Sequence, residues 1–202
     1  MIKMTYKNIF NHCIWRISKM LELTITRDNP REFIKFAKEH FNGREIIGAE
    51  IGVQYGMNAL YMLKELNLKR LYLIDPYERY LDYADGEKRF QEYKNIKGIA
   101  IKRLNRYKNK TKFVYLTSKQ AFPQMNNLSH GFDFVYLDAN HSYEFVKYEI
   151  ENYWTLINQG GILGGHDFEY YEVAKAVIEF AEKNKLKVIT KSKNGEWIIV
   201  KE

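Results

Sequence analysis

The sequence predicts an α/β protein built on a doubly wound, seven-stranded sheet, mostly parallel and closed by an antiparallel hairpin. Three observations carry this expectation. From residue 46 onward, short apolar runs alternate with longer amphipathic segments, the order that places helices on both faces of a parallel sheet. The last two runs, "LKVITK" and "GEWIIVKE", are joined by "SKNG", a hairpin signal. The sharp polar residues fall just after the apolar runs, where sheets of this class bind ligands.

The elements follow in order. Residues 5–23 and 29–41 read as helices, the first with Ile2, Ile9, Ile14, Ile17 and Leu21 available for packing, the second with Asn29 as N-cap and Pro30 at its first position. "REIIGAEIGV" is strand 1, "GMNALYMLKEL" a helix and "KRLYLID" strand 2. "GEKRFQEYKNIKGIAIKRLNRYKN" is one helix or a broken one, with Gly98 its weak point. "TKFVYL" is strand 3, "SKQAF" a short turn or helix and "FDFVYLD" strand 4. "SYEFVKYEIENYWTLI" is an amphipathic helix, "QGGILGGHD" brackets strand 5 with glycines, and "YYEVAKAVIEFAEKN" is the last helix before the hairpin.

The 202 residues suit one domain, here 43–202, with 1–42 as an N-terminal helical extension. A single cysteine, Cys13, allows no internal disulfide and no cysteine zinc cluster, which fits a reducing, cytoplasmic setting. No run approaches the ~20 apolar residues of a membrane span, and the first residues lack the pattern of a signal peptide. The formal charge of +7 is concentrated in 86–112, where ten Lys/Arg face two Glu. The plain reading is a solvated helical face. The sharper one is an anionic partner such as RNA, with Phe90, Tyr93 and Tyr107 free to stack on bases or to pack in the core. No known nucleic-acid module appears.

The positions after the strands are Glu50 to Gly56, Asp75 to Tyr77, Thr117 to Ser118, Asp138 to His141 and Gly164 to Asp167. In "AEIGVQYG", Gly52 and Gly56 permit a tight turn and close approach of a ligand to the backbone. A nicotinamide fingerprint needs glycine where Gln54 stands, and usually another where Met57 stands. Glu50 lies on the strand itself, suited to a ligand's cation and unsuited to a pyrophosphate. That charge logic favours S-adenosylmethionine, which carries an ammonium and a sulfonium and no phosphate. Asp75, 25 positions on, suits both hydroxyls of a ribose. Otherwise it is a turn cap ahead of Pro76.

Taken together, "AEIGVQYG", "LIDPY", "FVYLDANHSYE" and "GGILGGHDF" resemble the class I S-adenosylmethionine-dependent methyltransferases, which have a Rossmann-like fold. The first motif is similar to that of the metal-dependent catechol-type and macrolide-sugar O-methyltransferases. The resemblance runs from about Ile46 to the C-terminus. It implies methyl transfer to a hydroxyl of a small molecule. It implies cofactor contacts from Glu50, Gly52, Gln54, Tyr55, Gly56, Asp75, Pro76, Tyr77, Ser118 and Asp138. It also implies a divalent cation held by Asp138 and Asp167 with His166 as a third ligand, and His141 as general base. His141 lies three positions after Asp138; His166 and Asp167 lie 28 and 29 after it. Such a grouping makes chemical sense: a bound metal lowers a hydroxyl's pKa and a nearby His takes the proton. His166 departs from the oxygen ligand usual at its place. Magnesium prefers oxygen, whereas imidazole suits manganese, iron or zinc. A different metal, a His166 outside the ligand set, and no metal are all open.

Other readings compete. Tyr143 and Lys147 have the Y-x-x-x-K spacing of short-chain, NAD(P)-dependent dehydrogenases, against which the glycine pattern argues. The capping roles of His141, His166, Asp167 and Ser142 at neighbouring helix starts compete with chemistry. Tyr77, Tyr80 and Tyr83 are candidates for a substrate wall. The N-terminal helices are candidates for a homodimer contact.

Overall fold

The computed structural model describes residues 30–78, 90–191 and 195–202, with the backbone alone at 90–95 and 191. The expected helix at 5–23, the Asn29 cap, Cys13, Tyr80, Tyr83, the side chains of Phe90 and Tyr93, and the hairpin turn at 192–194 lie outside these residues. Arg31–Glu202 form one compact unit.

Seven strands form one sheet: β1 (Ile46–Ile51), β2 (Leu68–Ile74), β3 (Thr111–Val114), β4 (Phe132–Leu137), β5 (Ile157–Gly165), β6 (Val188–Lys191) and β7 (Glu196–Val200). Their spatial order is β3-β2-β1-β4-β5-β7-β6. β1 to β5 pair in parallel; β7 runs antiparallel to both β5 and β6. This is the predicted doubly wound sheet with its closing hairpin. Strand order reverses between β1 and β4, so the crevice at their carboxyl ends is the natural ligand site.

Both faces are buried. From Phe134 to Leu137 successive side chains of β4 alternate between two cores, with Phe134 and Tyr136 on one side, Val135 and Leu137 on the other. The first core receives α1 (Glu32–Phe41) through Phe33, Ile34 and Ala37, α2 (Met57–Glu65) through Ala59 and Met62, and α3 (Phe90–Leu104) through Ile96, Ala100 and Leu104. The second receives α4 (Ser118–Asn126), α5 (Tyr143–Tyr153) and α6 (Tyr171–Asn184) through Ala121, Ile150, Val177 and Phe180. Such two-sided burial explains why the strand runs read as nearly continuous apolar stretches.

Several expectations are corrected. α1 starts at Glu32, with Arg31 rather than Asn29 at the N-cap position. α1 packs into the sheet's own core, and residues 31–41 fall in the same compact unit as the sheet. α3 runs unbroken through Gly98, whose surroundings are open, and ends in a 3-10 turn at Asn105–Tyr107. "SKQAF" begins a nine-residue helix, started by a capping box in which Thr117 and Gln120 satisfy each other's backbone. That helix carries Pro123 inside it. The glycines of "GGILGG" lie within β5 rather than around it. A Cβ on Gly164 would stand 2.4 Å from the Phe33 ring, so this glycine is where α1 seats on the sheet.

Among the described residues no helix is long and apolar enough to cross a membrane.

Gly164→Ala is expected to push Phe33 off the sheet and to cost about 1–3 kcal/mol of stability, as overpacked cores do. The urea midpoint of the variant, compared with that of wild type, checks this.

Candidate functional site

The glycine turn after β1 is held from three sides. Asp75, just past β2, accepts backbone N–H bonds from Val53 and Gln54 on Oδ2 (both 2.9 Å) and from Tyr77 on Oδ1 (2.8 Å). Arg103 of α3 donates to the Tyr55 carbonyl at 2.5 Å. Gly52 has φ +86°, and a Cβ there would meet the Asp138 carbonyl at 2.0 Å, so only glycine lets β1's exit lie against that of β4. Thus Asp75, expected at a ribose, is first the tether of the loop. About four lone-pair sites exist on a carboxylate and three are used, which leaves one for a ligand.

Glu50 is buried at the end of β1. Its Oε1 accepts a hydrogen bond from Asn58 Nδ2 at 2.8 Å, and its Oε2 has no partner among the described residues. Burial pushes its carboxyl up to about 8, opposed chiefly by Asn58. The Tyr77 hydroxyl is likewise buried without a partner, and burial raises it. Buried polar groups are normally satisfied; Asn58 Oδ1 and Trp197 Nε1 also lack partners among the described residues, and the orphans at the exits of β1 and β2 are where a ligand would supply bonds. Ser118, at the start of α4, is buried and bonds Glu149 of α5, whose carboxyl burial pushes up to about 7. Tyr153 donates to the Ser118 carbonyl at 2.8 Å. Glu149 escaped the sequence reading, although its signal was present. It shares the apolar stripe Val146, Ile150, Tyr153 at helical spacing, where a carboxylate is out of place.

On the other side of Gly52, Asp138 and Asp167 face each other. Asp167 accepts from His141 Nε2 at 2.8 Å and from His166 Nδ1 at 3.0 Å. Burial works to raise Asp167, but the two histidines outweigh it and hold the carboxylate well below its ordinary value. The same bond to Asp167 is the largest influence raising His141, against the opposing effect of burial. The His141 ring stacks on Tyr170 at 5.6 Å. Asp167 has φ +61°, Gln54 +48° and Tyr77 +51°. The other two described non-glycine residues at positive φ, Asn42 and Lys185, are helix C-caps, so the strain that is not capping gathers at this edge of the sheet. Helix capping does not explain these histidines, since neither Ser142 nor Tyr170 makes a side-chain cap bond and α6 starts at Tyr171.

Ligand atoms of Asp138, His141 and Asp167 lie within 4.8 Å of one another. His141, not the expected His166, completes that group. Yet each member is already engaged. Asp138 Oδ2 is bonded to Arg31 Nη1 at 2.8 Å, and both Asp167 oxygens hold histidine nitrogens. What sets this group apart from a metal site is the fixed positive charge of Arg31 on Asp138, beside which a divalent ion is repelled; without it, two carboxylates and an imidazole are a donor set that manganese, iron or zinc accepts.

Tyr143 and Lys147 do meet, at 3.3 Å, but the Tyr143 hydroxyl is bonded to Glu179 of α6 at 2.5 Å, an exposed contact between two helices. Parts of the basic segment are likewise absorbed by the fold: Arg103 holds the glycine turn and Lys97 Nζ lies 3.5 Å from the centre of the Tyr115 ring.

The folded chain holds the Glu50 proton more tightly than the unfolded chain does. The resulting stability is present below the ordinary carboxylate value and is lost as pH rises through about 8. Glu50→Gln removes this dependence. Urea unfolding is expected to give a variant level with wild type near pH 4 and more stable by about 1–3 kcal/mol above pH 8. Glu149 titrates in the same direction in both proteins and cancels in the comparison.

Comparison with known proteins agrees with this architecture. The family model described as a methyltransferase domain matches residues 49–168, more than half of the chain. An uncharacterized protein of Acanthamoeba polyphaga mimivirus is 25% identical over 146 residues, 71% of this chain; the chain spans 61% of that relative's length. Among solved structures, the O-methyltransferase NovP has a TM-score of 0.65 at 15% identity, over 84% of this chain and 78% of that one. The calicheamicin methyltransferase CalS11 has 0.62 at 12%, over 99% and 95%. An O-methyltransferase from Bacillus cereus, solved in complex with SAH, has 0.61 at 14%, over 95% and 90%. At these identities the structural likenesses speak for the fold, and the match over 49–168 speaks for the family: the chain belongs to the methyltransferase-domain family.

Proposed function

We propose that the protein transfers a methyl group from S-adenosylmethionine to a hydroxyl of a small molecule. The observation that carries this reading is the orphaned Oε2 of buried Glu50 at the β1 exit, which needs a cationic or donating partner. An amino-acid ammonium supplies one and favours the ionised carboxylate, whereas a pyrophosphate has no donor or positive charge to offer it. The cofactor, when bound, supplies an electrophilic methyl on a sulfonium. The glycine turn at Gly52–Gly56, held by Asp75, lines its approach, with Gln54, Tyr55, Pro76, Tyr77 and Ser118 around it. The likeness to NovP and to the Bacillus cereus protein, both O-methyltransferases, supports a hydroxyl acceptor.

The chain's own residues handle the acceptor proton. Asp167 holds His141 by Nε2, which leaves Nδ1 as the nitrogen able to accept a proton from the hydroxyl. The cofactor, held by Glu50 and the Gly52–Gly56 turn, would supply its methyl to that oxygen and leave as the neutral thioether, while the proton would stay on His141. The carboxylate of Asp167 stabilises the imidazolium so formed. A cytoplasmic setting, suggested by the lone Cys13, and a homodimer through the N-terminal residues are part of the same proposal. Light scattering of the purified chain tests the latter.

His141→Ala is expected to leave S-adenosylmethionine affinity unchanged by calorimetry and to lower turnover by about 10²–10⁴-fold. Unchanged turnover would remove His141 from the mechanism. Asp167→Asn should move the acid limb of the kcat/KM profile to lower pH, because the bond that raises His141 is weakened. Glu50→Ala should abolish cofactor binding.

A further inference from the structure

Arg31 stands at the start of α1, outside every motif that pointed to the site, yet its guanidinium enters it. Nη1 donates to Asp138 Oδ2 at 2.8 Å and to the Tyr136 hydroxyl at 2.5 Å, and the guanidinium carbon lies 5.5 Å from the centre of the Tyr136 ring. The Tyr136 hydroxyl in turn donates to Glu196 Oε1 at 2.9 Å, and Glu196 Oε2 accepts the Phe33 N–H at 3.2 Å. Two carboxylates are thereby linked to one guanidinium, directly at Asp138 and through a hydroxyl at Glu196. Tyr136 and Asp138, two apart along β4, point to the same side, which is why one side chain reaches both.

We propose that Arg31 is the resident cation of this site. Its guanidinium takes the place beside Asp138 that the resemblance gives to a divalent ion. Methyl transfer here therefore needs no metal, and removal of the guanidinium opens a divalent-cation site on Asp138, His141 and Asp167. A guanidinium stays charged at every pH the protein meets, and its planar fork matches a carboxylate, so it is a permanent occupant. Arg31 acts through Asp138 and is a positioning residue. It fixes that carboxylate at the β4 exit, while the His141–Asp167 pair is left to move the proton. Only the turnover part of this proposal rests on the methyl-transfer reading; the cation part does not.

The test is a Mn²⁺ titration of the full chain, after EDTA treatment and dialysis, followed by the electron paramagnetic resonance signal of free Mn²⁺. Wild type and Arg31→Lys are expected to take up no ion up to about 1 mM, the weak end of the range of specific protein sites. Arg31→Met is expected to bind one Mn²⁺ per chain, on the order of 100-fold tighter than wild type, because it uncovers a buried carboxylate. Adding Asp138→Asn to Arg31→Met should abolish that binding. EDTA should leave wild-type turnover unchanged, and Mn²⁺ should restore part of the turnover lost in Arg31→Met. Micromolar Mn²⁺ binding by wild type that Asp138→Asn removes would overturn the proposal. So would EDTA-sensitive wild-type turnover restored by Mn²⁺, or a folded Arg31→Met that binds no ion. If Arg31→Met fails to fold, Arg31→Met/Glu196→Gln, which removes the second carboxylate of the network, takes its place under the same criteria. Absence of S-adenosylmethionine binding by wild type would sink the methyltransferase reading and leave the Mn²⁺ result readable.

Discussion

Buried carboxylates must find partners, and this fold places several at one edge of its sheet. Glu50, Glu149 and Glu196 are buried, and Asp138 is held at 21% exposure against Arg31. Each has a different solution. Glu196 takes a tyrosine hydroxyl and a backbone N–H; Asp138 takes a guanidinium; Glu149 takes a serine. Glu50 alone among them keeps an oxygen without a bond among the described residues. Leaving a buried acceptor unmade costs about 1–3 kcal/mol, so the three satisfied carboxylates read as structure and the fourth as a place kept for a ligand.

The two halves of the site are joined by backbone rather than by side chains. β1 and β4 are neighbours in parallel register, and Asp138 N–H bonds the Ile51 carbonyl at 2.8 Å. Gly52 then lies flush against the Asp138–Ala139 peptide. The glycine turn on one side and the His141–Asp167 pair on the other are therefore fixed to a common edge. Positioning of this kind is what a methyl transfer between two bound molecules demands.

Much of this was legible in the sequence because it is local or periodic. The alternation of runs gave the sheet and its hairpin, and strand ends located Glu50, Asp75, Asp138 and His141 without reference to contacts. The spacing from Asp138 to Asp167 brought the right loops together. What escaped depends on long-range packing. Arg31 lies 107 positions from Asp138 and Tyr136 lies 60 from Glu196, and no periodicity links them. The glycines before His166 read in the sequence only as brackets of a strand, whereas Gly164 and Gly165 make room for the Phe33 and Trp197 rings. The pairing of His166 with Asp167 follows from the left-handed backbone at Asp167, which residue type alone does not announce.

Phe33 seated on Gly164 has a consequence for how the site is assembled. Arg31 stands two residues before Phe33, so the ring packed on the sheet and the guanidinium at its edge move as one piece of chain. A change at Gly164 that unseats Phe33 would also draw the guanidinium away from Asp138. Packing in the core and charge at the strand ends are thus coupled through the first turn of one helix.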